Sequence, residues 1–348
     1  MKEKKNTLLI AGTYVATVIG AGFASGQEIL SYFVVYGKRS VYGLMIVCVL
    51  FILCALCVML RTYNDGIEGF DEYMSTIASK RVCAFMKICI MLFMFSSFCS
   101  MVAGNGELFY NIFKTPRIAG SAVMLFACAV VFFFDLKGIL TVNAVLAPIM
   151  AISLFVLGVY SFIFRDISVF SGGFYEHLCK NYFVSALVYA SYNLLSAIVI
   201  LSGLRPLITR RSVCFASSII GGGALIVIAA AMWAAIGIYY GKIELYDMPF
   251  LTIASRRGTL VKSLYSLVLC FSMLTTAISC GYGVLGWLSS RFKIKKLTAI
   301  VVLIVASVPI TFLGFSQIVK NIYSIFGYLG LVMIVCVLSD GIRLMNEK

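Results

Sequence analysis

The sequence predicts an all-α polytopic membrane protein: ten spanning helices in a five-plus-five inverted repeat, with the first and sixth helices broken. Three observations carry this expectation. The 348-residue chain is 62% hydrophobic and 12% charged, with a mean hydropathy of +1.03, whereas a soluble domain carries roughly 25% charged residues. Its apolar residues gather into ten runs, each near the ~20 residues that a spanning helix needs. The first run is interrupted at its middle by Ile19-Gly20-Ala21-Gly22-Phe23-Ala24-Ser25-Gly26-Gln27-Glu28, a stretch that makes a poor helix.

The runs cover roughly 7–35, 41–60, 83–110, 118–134, 139–164, 183–204, 213–240, 259–289, 297–314 and 318–340. Turn-like or charged segments separate them, such as Gly37-Lys38-Arg39-Ser40, Lys114-Thr115-Pro116-Arg117 and Arg205-Pro206. Met1 to Asn6 lead into an apolar run too long for a signal-peptide core and without a small-residue cleavage site, so it reads as the first span. Between the second and third spans, residues 64–80 mix charge with apolar residues at helical spacing, which predicts a short helix at the cytoplasmic interface. Asp247-Met248-Pro249 supplies an N-cap and a first-turn proline, which predicts another short helix on the outer face. Segments 1–348 thus form one transmembrane domain, with repeats of about 7–164 and 183–340.

Ten spans place both termini on one side. If that side is the cytoplasm it receives 17 of the 28 basic residues, so N-in, C-in orientation in the plasma membrane is expected. The net charge of +14 is scattered through short loops instead of forming a basic stripe, and it reads as topology, not nucleic-acid binding. Most of the twelve cysteines sit in apolar segments; Cys54 and Cys57 have redox spacing but no His or carboxylate neighbours, and they read as packing. An intramembrane enzyme would need paired acids or a His-based catalytic set. No Asp lies deep in a span, and the one histidine, His177, falls between spans five and six and is given no role. Membrane lipid and a small-molecule substrate are the expected partners, and no obligate protein partner or organic cofactor is indicated.

The glycines carry the functional expectation. Each costs about 1 kcal/mol against Ala in a helix interior, and unpaired backbone groups in hydrocarbon cost several kcal/mol more. A break at membrane depth is tolerated where its freed backbone groups line a cavity and bind something. Unwinding exposes N–H groups at Ala21, Gly22 and Phe23, suited to a carboxylate, and carbonyls suited to a cation. A zwitterion would match both. In the sixth span Tyr189-Ala190-Ser191-Tyr192-Asn193 is strongly polar, and its Ser and Asn favour local unwinding. It would be the repeat partner of the first break, as Gly104-Asn105-Gly106 would be of Gly281-Tyr282-Gly283.

These residues resemble a known family. Gly20-Ala21-Gly22-Phe23-Ala24-Ser25-Gly26-Gln27-Glu28, with Ser191-Tyr192-Asn193, looks like the YkvI-like amino-acid permeases of the amino acid–polyamine–organocation superfamily, which has the LeuT-type fold. The resemblance implies a secondary transporter working by alternating access, with spans 1, 2, 6 and 7 as a bundle moving against spans 3, 4, 8 and 9. It implies a substrate site at Gly20, Ala21, Gly22, Phe23, Ser96, Ser97, Tyr189, Ser191, Tyr192 and Asn193, with Gln27 and Glu28 gating it from outside. It also implies a sodium ion held by hydroxyls of Thr275 and Thr276 and carbonyls of Ala16, Ile19 and Ser272. Proton-coupled relatives place a Lys on span five, and this span has none; span seven lacks the Asn of a second sodium site. Sodium-coupled symport of an amino acid or a similar small solute is the expectation, with proton coupling, exchange, or a non-transporting receptor on the same fold as alternatives. Asn105, Glu107 and Asn143 are left without a role, and no particular substrate is named.

Overall fold

A computed structural model of the chain describes residues 2–133, 136–164, 178–241 and 247–346. Every regular element among them is helical. The first span is three pieces: α1 (Lys2–Val18), α2 (Ala21–Ala24) and α3 (Gln27–Tyr32). Gly20 is extended (φ −94°, ψ −172°) and Gly26 is left-handed (φ 82°), so the chain leaves the helical path twice within seven residues. Only glycine adopts that second conformation without strain.

The other segments follow as α4 (Ser40–Asp65), α5 (Phe70–Ile77), α6 (Lys80–Phe113), α7 (Arg117–Phe133), α8 (Leu136–Ile163), α9 (Tyr182–Ser202) and α10 (Arg211–Tyr239). They continue with α11 (Pro249–Ser255), α12 (Thr259–Phe292), α13 (Lys296–Thr311), α14 (Phe315–Gln317) and α15 (Tyr323–Asn346). Among the described residues six helices are able, by length and composition, to cross a membrane, and Arg117–Phe133, Pro148–Ile163 and Lys296–Thr311 are shorter apolar helices. With the broken first span, these account for the ten apolar runs. The short helices α5 and α11 fall where the sequence predicts them, although Met248, not Asp247, is the residue that precedes α11 as its cap.

One element departs from expectation. The sixth span is a continuous helix, α9, from Tyr182 to Ser202. It contains neither Gly nor Pro, and its Ser and Asn side chains bond without unwinding it. Asn193 Nδ2 donates to the Tyr189 carbonyl at 3.0 Å and Ser196 Oγ to the Asn193 carbonyl at 3.0 Å. Such back-bonding feeds the helix ladder instead of replacing it.

The helices separate into two groups. α1, α4, α9 and α10 pack on one another, while α6, α7, α12 and α13 pack on one another; α8 bridges α10, α1 and α12, and α15 lies against α9, α4 and α6. The pattern repeats with an offset of five spans: α4 on α9 is matched by α10 on α1, and α6 on α7 by α12 on α13. α5 and α11 likewise follow the second span of each half. The core between the groups is aromatic, with Phe23, Tyr32, Phe33, Phe51, Tyr189 and Tyr192 all fully buried.

Candidate functional site

The site grows from the two discontinuities. In a continuous helix the Gly20 N–H would bond to Ala16; here it bonds to the Val18 carbonyl at 2.8 Å, which frees the Ala16 carbonyl of that partner. At the second discontinuity the Ser25 carbonyl accepts from the Phe250 N–H of α11 at 2.9 Å, and the Ala24 carbonyl accepts from the Tyr265 hydroxyl of α12. The carbonyls around α2 are thereby supplied with donors from neighbouring elements, as buried backbone requires.

Around the first discontinuity lie the proposed ion-holding residues. Ser272 Oγ of α12 donates to the Ile19 carbonyl at 3.5 Å, and a Cβ added at Gly20 would stand 3.9 Å from Thr276 Oγ1. Ser272 and Thr276, one turn apart, therefore both lie beside the break. The Thr275 hydroxyl donates to the Ser272 carbonyl of its own helix at 3.1 Å.

The substrate candidates divide in the same way. Glu28, expected beyond the break as a gate, is 3% exposed and turns back over α2. A Cβ built on Gly22 would lie 2.2 Å from Glu28 Oε1 and 2.9 Å from its Cδ, so the glycine is there to admit this carboxylate. The place beside Ala21, Gly22 and Phe23 that the sequence reserves for a substrate carboxylate is filled by the chain's own. Tyr192 and Asn193 engage the Glu28 carboxylate through their side chains, while its Oε2 and the buried Tyr189 hydroxyl have no hydrogen-bond partner. The rings enclose this spot: Tyr192 lies 5.5 Å from Tyr189, 5.6 Å from Tyr32, 5.3 Å from Tyr323 and 6.0 Å from Phe93 between centroids.

Ser97 stays in contention because it and Ser100 face Tyr323. Ser96 does not, since its hydroxyl returns to the Leu92 carbonyl at 2.8 Å. Ser191 is a structural tie; its hydroxyl bonds to the Gly327 carbonyl of α15. Tyr32, Phe93 and Tyr323 are additions that the motif did not reveal. A five-residue π-helical stretch, Ile318–Ile322, sets the phase of Tyr323, and such wide turns gather at functional sites.

Gln27 does act across the bundle. Its Nε2 donates to Ser316 Oγ of α14 at 2.9 Å, and Ser316 also meets Asp247. Asp247 lies outside the spans, and burial holds its carboxyl above the ordinary value; Glu107 adds to this, while the Ser316 hydroxyl, Lys320 and Arg117 oppose it. At the opposite end Arg61 of α4 grips Asp340 of α15 through Nε, at 2.9 and 3.1 Å. Asn105 bonds to the Gly120 carbonyl at 2.7 Å and Glu107 pairs with Arg117, so both tie α6 to α7. The Asn143 side chain and His177 lie outside the described residues.

Comparison with known proteins agrees with this geometry. No family model matches the chain. Two uncharacterised Bacillus subtilis proteins match over nearly their whole lengths: YyaD, 25% identical over 95% of this chain and 94% of that one, and the membrane protein YkvI, 23% identical over 96% and 95%. Among solved structures, MhsT in complex with L-phenylalanine superposes with a TM-score of 0.66 at 15% identity, over 96% of this chain and 91% of that one. The inward-facing conformation of Mhp1 gives 0.58 at 12% identity over 95% and 75%. An Eremococcus coleocola manganese transporter gives 0.60 at 13% identity over 96% and 79%. The chain has the LeuT fold of these transporters and is similar in sequence to the membrane protein YkvI. In this YkvI-like chain the fold's broken first helix carries its own acid, Glu28, packed against the second glycine of the break.

Proposed function

We propose that the protein is a secondary active transporter that carries a small solute of the amino-acid or amine class across the plasma membrane, driven by sodium, by alternating access. The observation that carries this reading is the doubly broken first span. Its freed backbone groups and the buried, unpartnered polar atoms of Glu28 and Tyr189 meet at mid-bundle, between the two groups of helices. Buried polar groups without partners are costly, and a ligand that completes them explains why they are kept. The similarity to solved transporters of the same fold supports the reading.

The ion would sit between α1 and α12, on the carbonyls of Ala16 and Ile19 and the hydroxyls of Ser272 and Thr276. An all-oxygen set suits a hard cation. Gln27 with Ser316 would close the outer side, and Arg61 with Asp340 the cytoplasmic side, with both termini in the cytoplasm. The test is uptake into proteoliposomes under an inward sodium gradient, with a panel of amino acids and amines. Saturable uptake that collapses with the gradient is expected. Uptake indifferent to sodium but driven by an inward proton gradient would replace sodium by a proton.

A further inference from the structure

The orphaned carboxylate oxygen of Glu28 narrows the solute. Glu28 is buried, and Tyr32, Tyr189, Tyr192 and Tyr323 all lie near enough to feel its charge. Among the groups acting on it are Tyr192 and Asn193, and no lysine or arginine. Arg61 and Arg117 pair with other acids, Asp340 and Glu107. An isolated carboxylate buried this way is expensive unless a cation or a proton joins it. Among the described residues no cationic side chain is found acting on it.

The surroundings fit one class of cation well. Tyrosine rings with centroids 5.3 to 5.7 Å apart, at Tyr32, Tyr189, Tyr192 and Tyr323, form a wall of π faces beside Oε2. Ammonium groups bind such faces, and the unpartnered hydroxyl of Tyr189 can accept an N–H bond. A substrate carboxylate, by contrast, would find its place beside Gly22 already taken by Glu28 and would be repelled by it. We infer that Glu28 is the counter-ion for the ammonium group of the transported solute, and that the site selects a small organic amine over the corresponding amino acid or carboxylic acid. This rests on the transporter reading above, but the binding it describes does not depend on transport.

The test uses full-length protein in detergent at mildly alkaline pH with sodium present, and three matched probes: 3-methylbutylamine, leucine and 4-methylpentanoate. Isothermal titration and melting temperature are read for the native protein, Glu28→Gln and Tyr189→Phe. The amine should bind native protein and raise its melting temperature, the acid should not, and leucine should be weaker than the amine. Glu28→Gln keeps the shape and removes the buried charge, so the ligand-free variant should melt no lower than native and bind the amine about 10- to 100-fold more weakly. Tyr189→Phe deletes only an unpartnered hydroxyl and serves as a second, fold-neutral variant; it too should weaken the amine. Binding of leucine or the acid in preference to the amine overturns the inference, as does silence of the amine at millimolar concentration. Amine binding unchanged in Glu28→Gln also overturns it, as does a variant altered only in its response to sodium. Amine binding without uptake in proteoliposomes would fault the transporter reading and leave the Glu28 site standing; saturable leucine uptake that the amine does not inhibit would do the reverse.

Discussion

Replacing Gly22 by Ala interrogates the contact on which the site is built. The new methyl would stand 2.2 Å from Glu28 Oε1 and 2.9 Å from both Cδ and Cγ, so swinging the carboxylate alone does not relieve it. The whole side chain must leave a fully packed pocket walled by Phe23, Tyr189 and Tyr192. Overpacking of that kind costs roughly 1–3 kcal/mol, offset by up to about 1 kcal/mol from the better helix former. The expected net loss is about 1–2 kcal/mol, or a fall of several degrees in melting temperature. Glu28→Ala removes the obstructing atoms, so Gly22→Ala in that background should be neutral or slightly stabilising. The four proteins form a double-mutant cycle, read by melting temperature in detergent, with a coupling of about 1 kcal/mol or more between the two positions. Equal shifts from Gly22→Ala in both backgrounds would refute the placement of the carboxylate over the glycine, and with it the reason given for the motif's second glycine.

Other outcomes follow from the same geometry. Ser272→Ala with Thr276→Val should raise the sodium concentration for half-maximal uptake, whereas Thr275→Val should leave it unchanged, because the Thr275 hydroxyl only returns to its own helix; a sodium titration of both variants decides. Asp340→Asn strands Arg61, a buried cation, and should cost about 3–5 kcal/mol, less whatever Asp65 at 3.2 Å recovers; thermal melts against Arg61→Met with Asp340→Leu, which should be far milder, check this. Asn193→Ala should weaken solute binding by about 1–3 kcal/mol with little change in melting temperature, as titration calorimetry would show. Because burial raises the Asp247 carboxyl, the native state holds that proton to higher pH than the unfolded chain does. Stability from this group is therefore lost as pH rises from the ordinary carboxylate range through the raised value, and Asp247→Asn should flatten that part of the melting-temperature profile.

Much of the architecture is legible in the sequence because hydrocarbon imposes a length and a composition on every span. The ten runs, the short helices α5 and α11, and the break at Gly20 follow from such local rules. The sixth span misleads for an equally physical reason: Ser191 and Asn193 can either unwind a helix or bond within and across it, and for Ser191 the outcome depends on the Gly327 carbonyl of α15, which the local pattern does not contain. Glu28 misleads differently. Six positions from Gly22, it would point away from it on a regular helix, and the left-handed turn at Gly26 is what folds it back. Thr275 and Thr276 are adjacent in sequence, yet helical phase gives the break the pair Ser272 and Thr276. Tyr323 depends on packing of α15 against α6 and α9, a contact no local pattern announces.

The hydrogen bond from the Phe250 amide to the Ser25 carbonyl gives the protein a built-in reporter. α11 lies beyond the spans, while Ser25 belongs to the break itself, so any motion that draws the two apart exposes one identifiable amide. Deuterium uptake at Phe250, followed by mass spectrometry with and without sodium or solute, would measure how often the region around α2 opens, on the scale of local unfolding free energies. A single backbone proton at the rim thus keeps time for events at the centre of the bundle.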